Sequence, residues 1–138
     1  MPTAGYSGTP LPKKLGIKEG SRVCFVNPPE DFDETIAPLP AGVEVLGRPG
    51  KDMDVIVFFT ATATDLRRRF PKLAGALASS GGLWIGWPKR SSGVPTDLSE
   101  NDIRAIGLEV GLVDNKVCAI DERWSGLRFV IRLKDRRR

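Results

Sequence analysis

The sequence predicts an α/β domain. Its expected form is a three-layer Rossmann-like sandwich around a mostly parallel six-stranded sheet of order 2-1-3-4-6-5, with an antiparallel terminal hairpin. Three observations predict it. Strand and helix patterns alternate as β-α-β-β-α-β-α-β-β. The run from Asp54 to Phe59 is almost wholly apolar, as in a strand covered on both faces. The last two strands are joined by the short stretch Asp121 to Leu127, which makes them a hairpin.

Each element has a local reason. Thr9 to Gly16 reads as a very short helix, with Thr9 as cap, Pro10 and Pro12 in the first turn and Gly16 just past the end. Arg22 to Val26 is the first strand, ended by Pro28 and Pro29. Residues 30–38 suit a short helix that buries Phe32 and Ile36, and Val43 to Leu46 a second strand. After the third strand, Asp54 to Phe59, Thr64 is positioned to cap a helix with the stripe Leu66, Phe70, Leu73 and Leu77. Pro71 should kink or restart that helix. Arg67, Arg68 and Arg69 read as its solvated face, and Gly81-Gly82 as its end, feeding a strand from Leu83 to Trp87. A polar loop runs from Pro88 to Leu98. Ser99 then caps a helix that buries Ile103, Ile106 and Val110 and stops at Gly111. Lys116 to Ile120 and Arg128 to Leu133 are the last strands.

The 138 residues fit one domain, 1–138, with an N-terminal arm over 1–16 and a basic tail over 134–138. Apolar residues at 41% and charged residues at 28% are ordinary for a globular chain and exclude fibrous, disulfide-scaffold and disordered classes. Histidine is absent, which removes the commonest neutral-pH base and metal ligand, and with it Ser-His-Asp and Cys-His chemistry. Cys24 and Cys118 lie in strand patterns and read as buried, reduced thiols, too few for a zinc site. No metal is expected. No leader-like or membrane-spanning run appears, so a cytoplasmic protein without membrane contact is expected. The net charge of +4 is uneven: residues 123–138 sum to +6 and residues 1–122 to −2. A basic tail is indicated rather than a basic face, and nucleic acid is not the expected partner.

Open parallel sheets bind ligands beyond the carboxyl ends of their strands, where strand order switches, here between strands 1 and 3. The loop at that point, Asn27 to Glu34, has two prolines without N–H groups and four carboxylates, Glu30, Asp31, Asp33 and Glu34. It lacks the glycine-rich turn that cradles phosphate. No cofactor is expected, and neither NAD, FAD nor S-adenosylmethionine should bind. The loop after strand 4 is more permissive. Lys89, Ser91, Ser92 and Gly93 offer one cation, two hydroxyls and a flexible backbone, with Asp97 behind them and Tyr6 and Ser7 as neighbours. These are the candidate site for a small anion. Trp124 in the hairpin turn reads as a plug of the sheet edge.

Two resemblances follow. The run Asp54 to Phe59, then Gly81 to Trp87, then Gly107-Leu108 and Gly111 to Val113, with its reversed terminal hairpin, resembles the second half of class I methyltransferases. That family's methyl-donor loop follows the first strand, and the loop here departs from it. Over nearly the whole chain the sequence resembles the small bacterial domain-of-unknown-function 3052 family. The carrying segments are Ala4 to Leu11, Lys14-Leu15-Gly16, Trp87-Pro88-Lys89, Ser92-Gly93, Asp97-Leu98, Gly111 to Asp114, Lys116 to Asp121 and Trp124 to Leu127. That resemblance implies no activity.

The sequence alone thus favours a non-catalytic binding or regulatory module on a methyltransferase-like scaffold, with a small anion or a protein as partner. The first alternative is an enzyme that acts on a small anionic substrate at the loop after strand 4. The second is non-specific nucleic-acid contact through the arginine-rich C-terminus.

Overall fold

The computed structural model describes residues 9–136. Six strands form one sheet in the order β2-β1-β3-β4-β6-β5. They are β1 (Arg22–Val26), β2 (Glu44–Leu46), β3 (Met53–Phe59), β4 (Leu77–Pro88), β5 (Leu112–Ala119) and β6 (Trp124–Ile131). The pairs β1·β2, β1·β3 and β3·β4 are parallel, whereas β6 runs antiparallel to both β4 and β5. Strand order and direction are those the sequence predicts. The helices are α1 (Leu11–Lys14), α2 (Phe32–Ile36), α3 (Ala63–Gly75) and α4 (Glu100–Val110).

The apolar run of β3 is continuous because it feeds two cores. Ile56 and Phe58 point to one face, where they meet Leu66 and Phe70 of α3 and Ile103 and Ile106 of α4. Val55, Val57 and Phe59 point to the other, where Leu11 and Leu15 from the α1 region and Phe32 and Ile36 of α2 cover them. Period-two alternation thus divides one hydrophobic strand between both outer layers.

Several local expectations are corrected. The N-cap of α3 is Thr62, whose hydroxyl accepts from the Asp65 amide at 3.2 Å, and not Thr64. Pro71 sits inside α3 without ending it. The residue before α1 that acts as N-cap is Pro10, and no side chain caps that helix. The end of α3 is Gly75, and Leu77 belongs to β4. Gly81 and Gly82 are strand residues beside a register shift between Met53 and Val55. They are small for a steric reason: a Cβ at 81 would collide with the Met53 carbonyl, and one at 82 with the Arg128 guanidinium. The last strands also start earlier than the sequence indicates, at Leu112 and Trp124.

Gly107 has a similar cause. It lies buried in α4, and an added Cβ would enter the Phe129 ring. Gly107→Ala gains about 1 kcal/mol in helix propensity but forces apart a helix and a strand that cannot yield. The expected net outcome is a loss of about 1–3 kcal/mol, read as a lower urea midpoint at constant m-value. Stabilisation by this substitution would show that α4 stands further from the sheet. At the other end of α4, Ser99 and Asp102 form the capping box that the sequence anticipates. No helix among the described residues is long and apolar enough to cross a membrane.

Candidate functional site

The switch in strand order falls between β1 and β3, as expected. Its polar groups are turned on the protein itself. The Asn27 side-chain amide donates to the Phe59 carbonyl at 3.0 Å, bridging the two strand ends. The Thr60 hydroxyl donates to Asp65 at 2.8 Å, and the Thr96 hydroxyl to the Ala61 carbonyl. Aromatic rings fill the space beside them. Phe32 stacks edge-on against Phe25 and Phe59, with centroids 4.9 and 5.0 Å apart, and Phe59 against Trp124 at 5.1 Å. Trp124 does plug this edge, and its half-exposed ring also walls a cleft of about 300 Å³. That cleft carries Asp31, Asp121 and Glu122 against Arg123. It is acidic and unsuited to an anion.

The loop after β4 places the predicted residues differently from one another. Ser92 hydrogen-bonds within the loop, donating to the Lys89 carbonyl at 2.6 Å and accepting from the Val94 amide at 3.1 Å. Gly93 takes the left-handed conformation, at φ 76°, that closes the 3-10 turn Arg90–Ser92. Ser91 is exposed. Asp97 does not stand behind Lys89: its carboxylate accepts from the Ala63 amide at 2.8 Å and so supports the start of α3. Tyr6 and Ser7 lie outside the described residues. Ser92 and Asp97 thus serve the loop's own structure, and the predicted residues are not brought together into one site.

The charge of Lys89, with those of Lys14 of α1 and Lys116 of β5, acts on the thiol of Cys118. Sequence reasoning missed this grouping, because its members come from three distant segments. The cleft beside it, about 450 Å³, is lined by Thr9, Lys13, Lys14, Lys116, Val117, Cys118 and Ala119. The chain fixes the lysines. Lys14 Nζ donates to the Ala119 carbonyl at 2.9 Å, and Lys116 Nζ to the Lys14 carbonyl at 3.0 Å. The Lys89 amide donates to the Arg123 carbonyl at 2.8 Å, tying its loop to the hairpin turn. The residue after Lys14 is anchored by Trp84, whose buried indole N–H donates to the Leu15 carbonyl at 3.0 Å.

Burial pushes the Cys118 thiol above its ordinary value, and Lys14, Lys116 and Lys89 pull it part of the way back. Burial alone raises Cys24, which is fully enclosed. Both thiols are free. Because both folded values are raised, the folded state holds its thiol protons where the unfolded chain releases them. Stability is therefore fully present below the ordinary thiol pKa of about 8.5 and falls as pH rises through and above it. The check is urea denaturation at several pH values, with Cys24→Ala/Cys118→Ala removing the thiol part of the decline. Alkylation of the native chain should modify Cys118 before Cys24. A disulfide, or a stability that rises above the thiol pKa, would contradict this.

Solved structures provide the comparison. Over 99% of its length and 98% of the other chain, the protein superposes on a putative type 11 methyltransferase from Sulfolobus solfataricus, with a TM-score of 0.63 and 14% identity. A SAM-dependent methyltransferase from Aquifex aeolicus is similar over 87% of both chains, with a TM-score of 0.58 and 17% identity. The magnesium protoporphyrin IX methyltransferase of Synechocystis PCC 6803 with bound SAM is similar over 88% of this chain and 74% of that one, with a TM-score of 0.62 and 11% identity. No protein-family model and no curated protein matches the chain. At these identities the likeness is one of fold: the chain has the six-stranded Rossmann-like methyltransferase fold.

These neighbours overturn one expectation. The sequence favours a non-catalytic module, yet the structures that share this fold over nearly the whole chain are described as methyltransferases. The enzyme alternative is the one these findings back. Their methyl donor is nonetheless a poor match to the described residues at the switch point. Its carboxylate would need backbone N–H groups, which Pro28 and Pro29 lack. The Asn27 side-chain amide is already bonded to the Phe59 carbonyl, and the Phe32 and Phe59 rings pack against each other beside it. The fold is that of a methyltransferase, and among the described residues the Asn27 amide and the Phe59 ring lie at the ends of β1 and β3.

Proposed function

We propose that this chain is an enzyme that takes a small anionic substrate at the carboxyl edge of its sheet, in the cleft between α1 and β5. One observation carries the reading: Lys14 and Lys116, from distant segments, line that cleft together with Cys118, and the charge of Lys89 also acts on the thiol. Three ammonium groups near one half-buried position attract an anion and exclude a cation. The Lys116 ammonium is held by the Lys14 carbonyl in the hydrogen bond above, which fixes it at the cleft. The cleft-lining groups with chemistry beyond charge are the Cys118 thiol and the Thr9 hydroxyl.

Two free thiols agree with a reducing, cytoplasmic setting.

A second reading, methyl transfer from S-adenosylmethionine, is favoured by the fold of the neighbours. Calorimetry separates the two. The full chain should bind inorganic phosphate, and Lys89→Ala or Lys116→Ala should weaken it about tenfold or more, the equivalent of one charge-assisted contact. Both variants should keep the wild-type urea midpoint. Binding of S-adenosylmethionine without phosphate binding would establish the second reading instead.

A further inference from the structure

A different surface carries a different ligand. The chain passes from β2 to β3 through residues 47–52 alone, with no helix in the crossover. A groove of about 630 Å³ lies between this segment and the C-terminal half of α3. One wall carries Arg48 and Lys51, the other Arg68, Arg69 and Lys72, and no carboxylate lines it. Arg69 is held over the Phe58 ring at 5.1 Å, and Arg68 is braced by Asp65 at 3.0 Å. Arg48, Lys51 and Lys72 are exposed and make no ion pair among the described residues.

We infer that this groove grips the phosphate backbone of a duplex nucleic acid. The net charge of residues 1–122 conceals it, because acids elsewhere on the chain, among them Asp31, Asp121 and Glu122 at the opposite edge of the sheet, offset these cations in the sum. Three of the five cations are arginines, whose planar guanidinium matches phosphate in two-point contact. The neighbouring depression beyond Lys51 carries Asp52 and Asp135, so the carboxylate-free stretch ends with the groove itself. A single phosphate does not need five cations spread over two walls. An anionic membrane would call for an apolar anchor, and none of the large exposed hydrophobic residues, Val45, Val94, Leu108, Val117 or Leu133, lines the groove. No aromatic ring lines it either, so it offers single strands no stacking platform.

The test is fluorescence anisotropy of the full chain with a labelled 20-base-pair DNA duplex across a salt series. With about five phosphate contacts, the logarithm of affinity should fall against the logarithm of salt with a slope of about −4 to −5. Arg48→Glu/Lys51→Glu/Lys72→Glu should make that slope shallower by about three and weaken binding about tenfold or more at moderate salt. The control Lys18→Glu/Arg90→Glu/Arg123→Glu makes the same change in net charge at exposed positions elsewhere and should keep most of the affinity. Failure to bind the duplex would overturn the inference, as would equal losses in both variants. So would binding of anionic vesicles or free pyrophosphate, but not of the duplex, at this groove.

Discussion

Trp84→Ala is expected to cost about 3–5 kcal/mol, among the largest losses open to a single substitution here. Trp84 is fully buried on the face of the sheet covered by α1 and α2, where it belongs to the cluster with Leu11, Leu15 and Ile17. Truncation leaves a large cavity in the middle of β4. It also removes the donor to the Leu15 carbonyl, the tie that seats the end of α1 on the sheet. Two consequences should appear together. The denaturant midpoint should drop, and phosphate binding should weaken, because Lys14 adjoins the released carbonyl. Trp84→Phe keeps most of the packing and removes only the N–H. It should cost about 1–3 kcal/mol and still weaken the anion site. Normal phosphate binding by a folded Trp84→Phe would show that Lys14 is positioned by other contacts.

Phe59→Ala should cost a similar amount, about 3–5 kcal/mol. Its ring is fully buried at the last position of β3 and touches both Phe32 and Trp124. It is an inner member of the ring chain Phe25, Phe32, Phe59 and Trp124 beside the switch between β1 and β3. In a double-mutant cycle with Phe32→Ala, the ring pair should show a coupling of about 0.5–1.5 kcal/mol. Urea denaturation of the four proteins measures it. A cost below 1 kcal/mol would mean that the crevice yields easily and can open for a ligand, against the site assignment made above.

The sheet was legible in the sequence because its signals are local and redundant. The run Asp54 to Phe59 identifies a central strand, and the short link after Ile120 forces the reversed hairpin. Ser99 with Asp102 marks the start of α4. Errors arose where one residue type serves two purposes. Gly81 and Gly82 read as a helix end, yet their lack of a side chain serves close contacts with Met53 and Arg128. Thr62 and Thr64 are equally good caps on paper, and the position of the first helical turn decides between them.

The site was less legible for a different reason. Lys89 could be named because it ends an apolar strand. Lys14 and Lys116 could not be joined to it, since only tertiary packing brings α1 beside β5. Ser92 and Asp97 look like ligand groups in the sequence, but they satisfy backbone donors and acceptors of their own loops. The basic groove beside α3 was hidden in the same way, by charge that cancels along the chain and separates in space.

The most direct measurement is an amide NMR titration of the full chain, first with inorganic phosphate and then with S-adenosylmethionine. The account predicts that phosphate shifts the amides of Lys14, Lys89 and residues 116–119, and that the methyl donor leaves Asn27, Glu30, Asp31 and residues 60–62 unmoved. Saturable shifts at the end of β1 and β3 with the donor, and none around Cys118 with phosphate, would contradict it.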